Sequence, residues 1–499
     1  MDENNQPQYF SPVPPVRPAV PQRAPAFPAG KKDLIFGLLI LIFSWLLCNS
    51  FFFAGLNLGV SIFSVCCILS TLGYLMSKGR KIGVYPGLLF GLCLVICGSF
   101  ARGDNGFVKF MMLCFLILSV NLGICLICQQ NRRSPSGVSS LLDAFRCAFS
   151  LGLGHLSPAF RGFFKCLRSG QTGKKGSAVA LGLLIALPLL LILIPLLISA
   201  DAAFDALLQS LPDWDLGEIL CTLIFGTLLA GYFYARASTV HHQPPKKSPE
   251  KTAKGLIPLT VNTALIAVCA VFLVYLISQL AYFSGGFSGI LPGGYTLSQY
   301  ARRGFFEMAW ICAINLLIIA LAVGLVKDRA PKFTRILCLF IGIVTVFLAA
   351  SASAKMFLYI DAYGLTRLRV LTQVIIFWLG LTTILVCVWL FVPKMPYMKV
   401  VLILALVMGA VVAWADVDTV VARHNVTAYQ AGKLETVDVY YLENLGHGAV
   451  PYIAQLRDDP DPEVAQAAKD ALQGWYIPYE DFRGWNYVNQ IAKIYYTEK

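Results

Sequence analysis

Charge is what this sequence has least of. Asp, Glu, Lys and Arg make up 13% of the residues against 57% apolar, and mean hydropathy is +0.68. That balance excludes a soluble globular domain. Signatures of catalysis are missing too. There is no G-x-x-x-x-G-K-[ST], no H-E-x-x-H, no G-x-S-x-G in a strand–turn–helix setting and no paired acidic motif inside an apolar run. Asp458, Asp459 and Asp461 form a short acidic run, but the glycine and distal Glu of a calcium loop are absent. No cysteine follows Cys387, and most of the 15 lie in or beside apolar runs, where Cys acts as a small hydrophobe. Cys125 and Cys128 form a C-x-x-C with no second pair and no nearby His, so neither a metal nor a redox role follows. No cofactor and no metal are expected.

What is present is apolar runs of membrane-spanning length. Eleven are read, at about 33–52, 56–77, 82–101, 107–128, 177–200, 216–237, 256–283, 304–326, 336–358, 370–392 and 399–416. The fold class is therefore all-α, a polytopic helical membrane protein with about eleven transmembrane helices and a small helical C-terminal domain. Basic residues fix an orientation. With the N-terminus inside, the inner segments hold 26 Lys and Arg and the outer loops 7, as the positive-inside rule requires. The net charge of +13 thus reflects topology rather than nucleic-acid binding.

The chain divides accordingly. Residues 1–32 are a Pro-rich cytoplasmic tail of polyproline II character, with a P-x-x-P in PVPPVRP. Residues 33–128 hold four spans. Residues 129–176 form a basic amphipathic cytoplasmic loop suited to the headgroup layer or to packing under the bundle. Residues 177–416 hold seven more spans, interrupted by a polar linker at 235–255 in which the adjacent His241 and His242 are read as solvated. Residues 417–499 carry 12 acidic and 7 basic residues and form an acidic extracytoplasmic domain. In it Asp461-Pro462 starts a helix, and Val464, Ala467, Ala468, Ala471 and Leu472 make its apolar stripe. The pair of helices here resembles one HEAT-type repeat, which needs a neighbour to cover its face.

Polar residues concentrate at the outer ends of two neighbouring spans. Tyr300, Arg302, Arg303, Glu307, Lys355, Tyr359, Asp361, Tyr363, Arg367 and Arg369 form the candidate cluster, with Glu307 and Lys355 at matching depth. Guanidinium groups grip phosphate and carboxylate with two parallel hydrogen bonds, so an anionic lipid headgroup or wall polymer suits the cluster. Ordinary interfacial anchoring by Tyr, Arg and Lys accounts for the same residues. Asn121, Asn262, Gln279 and Asn315 lie within spans, where hydrogen bonding between helices is the default role.

Three stretches carry a resemblance: YARRGFFE at 300–307, YIDAYGLTRLR at 359–369 and AGKLETVDVYYLENLGHGAVPYI at 431–453. They resemble the bacterial membrane family called domain of unknown function family 4173, with its close relative 4153, over roughly 180–455. The resemblance implies a multi-pass bacterial membrane protein and supplies no activity. His447 stands where a small or acidic residue is expected, and no role is assigned to it. The leading expectation is a non-enzymatic envelope protein. It would use its outer face to bind a lipid, a wall component or a membrane protein partner, in signalling or envelope maintenance. One alternative is a transporter with a path along Asn262, Gln279, Asn315, Ser351 and Ser353. Another is a transferase on lipid-linked substrates, with Glu307 or Asp361 as base.

Overall fold

A computed structural model of the chain describes residues 30–131, 139–158, 160–161, 216–242, 256–287, 305–326, 330–473 and 481–496, with isolated positions between 182 and 200. The Pro-rich tail before residue 30, most of the fifth apolar run and Tyr300, Arg302 and Arg303 lie outside the described residues.

Ten of the expected spans are helices. They are α1 (Lys31–Phe53), α2 (Leu58–Ser77), α3 (Val84–Ser99), α4 (Gly106–Ile127), α6 (Leu216–Ala237), α7 (Pro258–Phe287), α8 (Phe305–Leu325), α9 (Lys332–Tyr363), α10 (Arg367–Phe391) and α11 (Tyr397–Ala415). Among the described residues nine helices are long and apolar enough to cross a membrane, and α3, at 16 residues, is a shorter apolar helix. Backbone groups in hydrocarbon must be satisfied within the helix, which explains why apolar runs of this length read so directly.

The two faces of the bundle are distinguished at the ends of α4 and α6. α4 ends at the face of the bundle where Arg146 of α5 (Ser139–Arg146) donates to the Gln130 carbonyl. α6 starts at the other face, where Glu218 meets Asn49 at the end of α1.

Close packing holds the first helices together. α1 crosses α6 where Gly226 faces Trp45, and a Cβ at Gly226 would sit 2.4 Å from the indole. Trp45 then donates to Thr227 at 3.0 Å. The largest hydrophobic core runs through α1–α4, α6 and α11, and continues without a break into the C-terminal helices. Smaller cores join α8, α9 and α10, and α7, α8 and α9. The cores thus do not follow the polar linker at 235–255, because α11 returns to pack on α3 and α4.

At the face away from the C-terminal helices, Asp33 is 2% exposed. It accepts from Tyr74 (2.6 Å) and Lys78 (2.6 Å) and meets His241 Nε2 at 3.1 Å. This corrects the solvated reading of His241: the ring is drawn in because Asp33 needs charge partners there. His242 packs against His155, ring centroids 5.0 Å apart. The described part of the amphipathic loop packs one side against the bundle. Cys147, Ala148 and Gly152 are buried toward α4 and α6, while Leu142, Phe145, Phe149 and Leu153 are exposed.

The C-terminal domain comprises α12 (Val417–Gln430), α13 (Val439–Glu443), α14 (Val450–Ile453), α15 (Pro462–Gln473) and α16 (Tyr487–Tyr496). Asp461 Oδ1 accepts from the Glu463 amide at 2.9 Å, so the predicted start of α15 is as expected. Its buried stripe is Ala465, Ala468 and Ala471, and Ala467 is exposed. The stripe is rotated from the predicted one because α13 is the neighbour that covers it. The neighbour a lone HEAT-type unit lacks is supplied within the chain, by α12 and α13.

Candidate functional site

The face bearing the C-terminal domain is built around the loop between α3 and α4, residues Phe100 to Asn105. The loop is short because the two helices are antiparallel neighbours, and its polar side chains point into the joint with the C-terminal helices. Asn105 caps α4, its Oδ1 accepting from Val108 N at 3.0 Å. Its Nδ2 donates to both oxygens of Asp418, each at 3.1 Å. Arg367, the first residue of α10, grips the same carboxylate with Nε and Nη2, the latter at 3.0 Å. Asp418 is 2% exposed. Burial is the main influence on its carboxyl and pushes it up from the usual range, against Arg367.

A second link lies beside the first. His447 Nδ1 is 2.8 Å from Asp104 Oδ2. Lys109, buried at the start of α4, donates to Asn57 at 2.8 Å and lies 4.0 Å from Asp104. Asn486 closes the arrangement. It is fully buried and donates to Asn57 (3.2 Å) and to the Gly103 carbonyl. Nearby, Leu58 N donates to Trp485 O at 3.1 Å, and Tyr487 N to Ala101 O at 2.9 Å. Arg483 reaches Glu218 at 3.0 Å.

Asp416 makes the corner between α11 and α12 and is the least comfortable group in the seam. Its φ of +53° is unusual for a residue with a side chain. It accepts from the Thr419 hydroxyl through Oδ2, while Oδ1 has no hydrogen-bond partner and borders a cavity of about 10 Å³ shared with Lys109, Asn105 and Gly103. That is about the room one water needs. Burial pushes its carboxyl up to about 6, opposed by the Thr419 hydrogen bond.

The predicted cluster is divided by the structure. Arg367 enters the seam, already neutralised by Asp418. Arg369 turns back onto the end of α9, donating to the carbonyls of Tyr363 (3.1 Å) and Gly364 and lying 4.2 Å over the Tyr359 ring. Tyr359 and Tyr363 pack together at 5.1 Å. Asp361, Tyr363 and Glu307 are exposed, and Lys355 is half-buried. Glu307 and Lys355 share a level of the bundle, since Met308 and Met356 join one core. An ion pair between them is not among those of the described residues. YIDAYGLTRLR is thus a helix–turn–helix corner docked on the C-terminal domain. Asn425 accepts from Leu365 N at 2.6 Å and donates to Leu365 O at 2.9 Å. Tyr441 accepts from Arg367 N at 3.0 Å.

Sequence reasoning missed Asn57, Asp104, Asn105, Lys109, Asp416, Asp418, His447 and Asn486. The signal present was the density of polar residues in RGDN at 102–105 and in ADVD at 415–418, which local rules read as ordinary loop and cap residues. Within the spans, Asn262 accepts from Thr334 at 2.7 Å, Asn315 donates to Thr345 at 2.9 Å, and Asn121 holds Tyr232 and Arg236. These amides join helices, as the default role requires.

The chain matches the family described as domain of unknown function (DUF4153) over residues 88–456 and belongs to it. The match starts earlier than the resemblance at 180–455 implied. It takes in the α3–α4 loop with Asp104, Arg367, Asp416, Asp418 and His447, and leaves Asn57, Arg483 and Asn486 outside. No curated protein and no solved structure matches the chain.

Proposed function

We propose that this family member is a non-enzymatic protein of the bacterial envelope. It holds its C-terminal helical domain rigidly at the outer face and presents that domain to a protein partner. The observation that carries the reading is the seam itself. Arg367, Asp418, Asp104, His447 and Lys109 are engaged with one another rather than converging on an open cavity. What the domain exposes is acidic. Asp458, Asp461, Glu463 and Asp470 face solvent around α15, which suits a partner with a basic surface. An anionic lipid or wall polymer is the weaker reading, because Arg367 is already paired. The basic-residue count supports a cytoplasmic N-terminus and an extracytoplasmic domain. The motifs at 300–307 and 359–369 favour a place near family 4173 within the wider kinship. Transport is less favoured, since Asn262 and Asn315 are used in joining helices.

The test is a photo-crosslinking amino acid placed at Glu463 or Asp470 in living cells, with Trp310, exposed on α8, as the control position. The reading expects a discrete protein adduct at the first two and not at Trp310. Equal adducts at all three, or none at α15, would sink it. Alkaline-phosphatase and fluorescent-protein fusions at Pro244 and at residue 499 test the orientation: a cytoplasmic 499 contradicts it.

A further inference from the structure

Aromatic side chains crowd residues 482–495, and the C-terminal domain does not bury them. Phe482 is 59% exposed, and Trp485, Tyr487 and Tyr495 are exposed as well. In α16 the buried residues are Val488, Asn489 and Ala492, on a helix that packs against α14 and the turn His447–Ala449. Tyr487, Ile491 and Tyr495 recur at every fourth position and make a second apolar stripe beside the buried one. The exposed Gln490 and Lys493 take the remaining side. A soluble domain rarely leaves aromatic groups exposed together in this way, and such a patch marks a surface that meets something apolar.

The bonds of this stretch fix its level on the bundle. Phe482–Gly484 form a single 3₁₀ turn, set between the ends of three spans. Arg483 Nη1 donates to Asn49, one turn inside the end of α1, and to Glu218 in the first turn of α6, the latter at 3.0 Å. A Cβ at Gly59, in the first turn of α2, would lie 3.1 Å from the Arg483 Cα. The link from the Leu58 amide to Trp485 O and that from Tyr487 N to Ala101 O hold the next residues at the same level. Phe482 and Trp485 therefore stand beside the ends of helices that cross the membrane, as do the exposed Phe51 and Phe52 of α1. Aromatic side chains collect at that level because their rings suit the boundary between hydrocarbon and headgroups. The nearby charges are engaged: Arg483 Nε also donates to Asp481 at 2.6 Å, and the Arg102 guanidinium lies 4.1 Å over the Tyr487 ring. Contact with lipid thus strands no charge.

We propose that residues 482–495 are an interfacial membrane anchor. Phe482, Trp485, Tyr487 and Tyr495 lie in the headgroup–acyl boundary of the leaflet beneath the C-terminal domain, and phospholipid covers them. The occupant is lipid because these residues share their level with the lipid-facing ends of α1, α2 and α6. A short amphipathic helix joined to such a turn lies along the surface with its apolar stripe down. The stretch follows residue 456, where the family match ends, so the anchor lies outside the part of the chain that carries the family likeness. It gives the domain a hold on the bilayer besides its hold on the bundle, independently of any partner at α15.

The experiment uses the full chain in phospholipid nanodiscs, with a genetically encoded fluorescent amino acid at Phe482 or at Tyr495. Asp470, exposed on α15, serves as the aqueous reference, and Trp310, exposed on α8, as the lipid-facing one. Quenching is measured with iodide in the water and with phospholipid carrying a nitroxide near the top of its acyl chain. Iodide is expected to quench at Phe482 and Tyr495 at least about threefold less than at Asp470, as for side chains held in the interface. The nitroxide lipid is expected to quench at both positions well beyond its effect at Asp470 and close to its effect at Trp310. Iodide quenching at either position equal to that at Asp470, or a nitroxide effect no greater than at Asp470, overturns the proposal. If the chain does not fold with the probe at Phe482, the probe moves to Trp485, whose bond to Leu58 uses the backbone carbonyl. Nanodiscs hold no other protein, so failure to capture a partner at α15 leaves this result intact.

Discussion

Arg367 and Asp418 stand 51 positions apart in the chain and meet through two hydrogen bonds across the joint between α10 and α12. Arg367, which directly follows the α9–α10 turn, holds the C-terminal domain twice, its backbone amide donating to the Tyr441 hydroxyl and its guanidinium to Asp418. Removing the guanidinium leaves a buried carboxylate held by Asn105 alone. Arg367→Ala is expected to cost about 2–3 kcal/mol. That is below the ~3–5 kcal/mol of a fully buried pair, because the Arg367 side chain is more than a third exposed and partly screened. Thermal unfolding in detergent reads the loss. Arg367→Ala with Asp418→Asn should recover part of it, and a double variant as unstable as the single one would show that charge is not the cause.

Asp416 sets a pH dependence. Its carboxyl is raised to about 6 in the folded protein, chiefly by burial, against an unfolded value of about 3.9. A group raised on folding contributes stability that is fully present below the unfolded value and is lost as pH rises through the folded one. The seam is therefore expected to weaken between about pH 4 and pH 6, by an amount on the order of 2–3 kcal/mol. Asp416→Asn removes the ionisation and keeps a residue type tolerant of φ +53°. Its unfolding temperature should be higher than that of the unmodified chain at pH 7.5 and similar at pH 4. A variant that is no more stable at pH 7.5 would contradict the assignment.

Gly364 forms the corner of the α9–α10 turn. Its φ is +73°, and a Cβ there would lie 2.8 Å from Asn425 Oδ1. Gly364→Ala combines backbone strain with displacement of the Asn425 clasp on Leu365. A loss of about 2 kcal/mol or more follows, read as faster proteolysis of the C-terminal domain in membranes. Asn425→Ala in the Gly364→Ala background should add little, because the two changes break the same contact.

Asp33 makes an independent prediction at the opposite face. Asp33→Ala leaves Lys78 and His241 without their shared acceptor and Tyr74 without its short hydrogen bond. A loss of about 3 kcal/mol is expected, measured as thermal stability in detergent. An unchanged unfolding temperature would show that the clasp is dispensable.

The spans were legible because the membrane imposes their length. The run read at 216–237 coincides with α6, and those read at 107–128 and 370–392 differ from α4 and α10 by one to three residues at each end. The start of α15 was legible because Asp461 and Pro462 act locally. The seam was not, since Asp104 and His447 lie 343 positions apart and nothing local marks either as a partner. His241 was misread for the same reason: its acceptor, Asp33, belongs to another helix 208 positions away. The turn at 359–369 was seen as distinctive, but its use was not. Arg367 reads as a free cation until α12 supplies Asp418.

The bond between Asn57 and Asn486 has a consequence for how the protein is made. The two residues are 429 positions apart, and the ribosome delivers them on the order of half a minute apart at usual elongation rates. During that interval the first hairpin waits in the bilayer with Asn57 and the Leu58 amide lacking their eventual partners, Asn486 and Trp485. Every later span must be inserted before the hairpin is sealed. Maturation of the first two helices is thus a readout of whether the whole chain has been assembled, and an incomplete product exposes that defect where membrane proteases and chaperones can act on it.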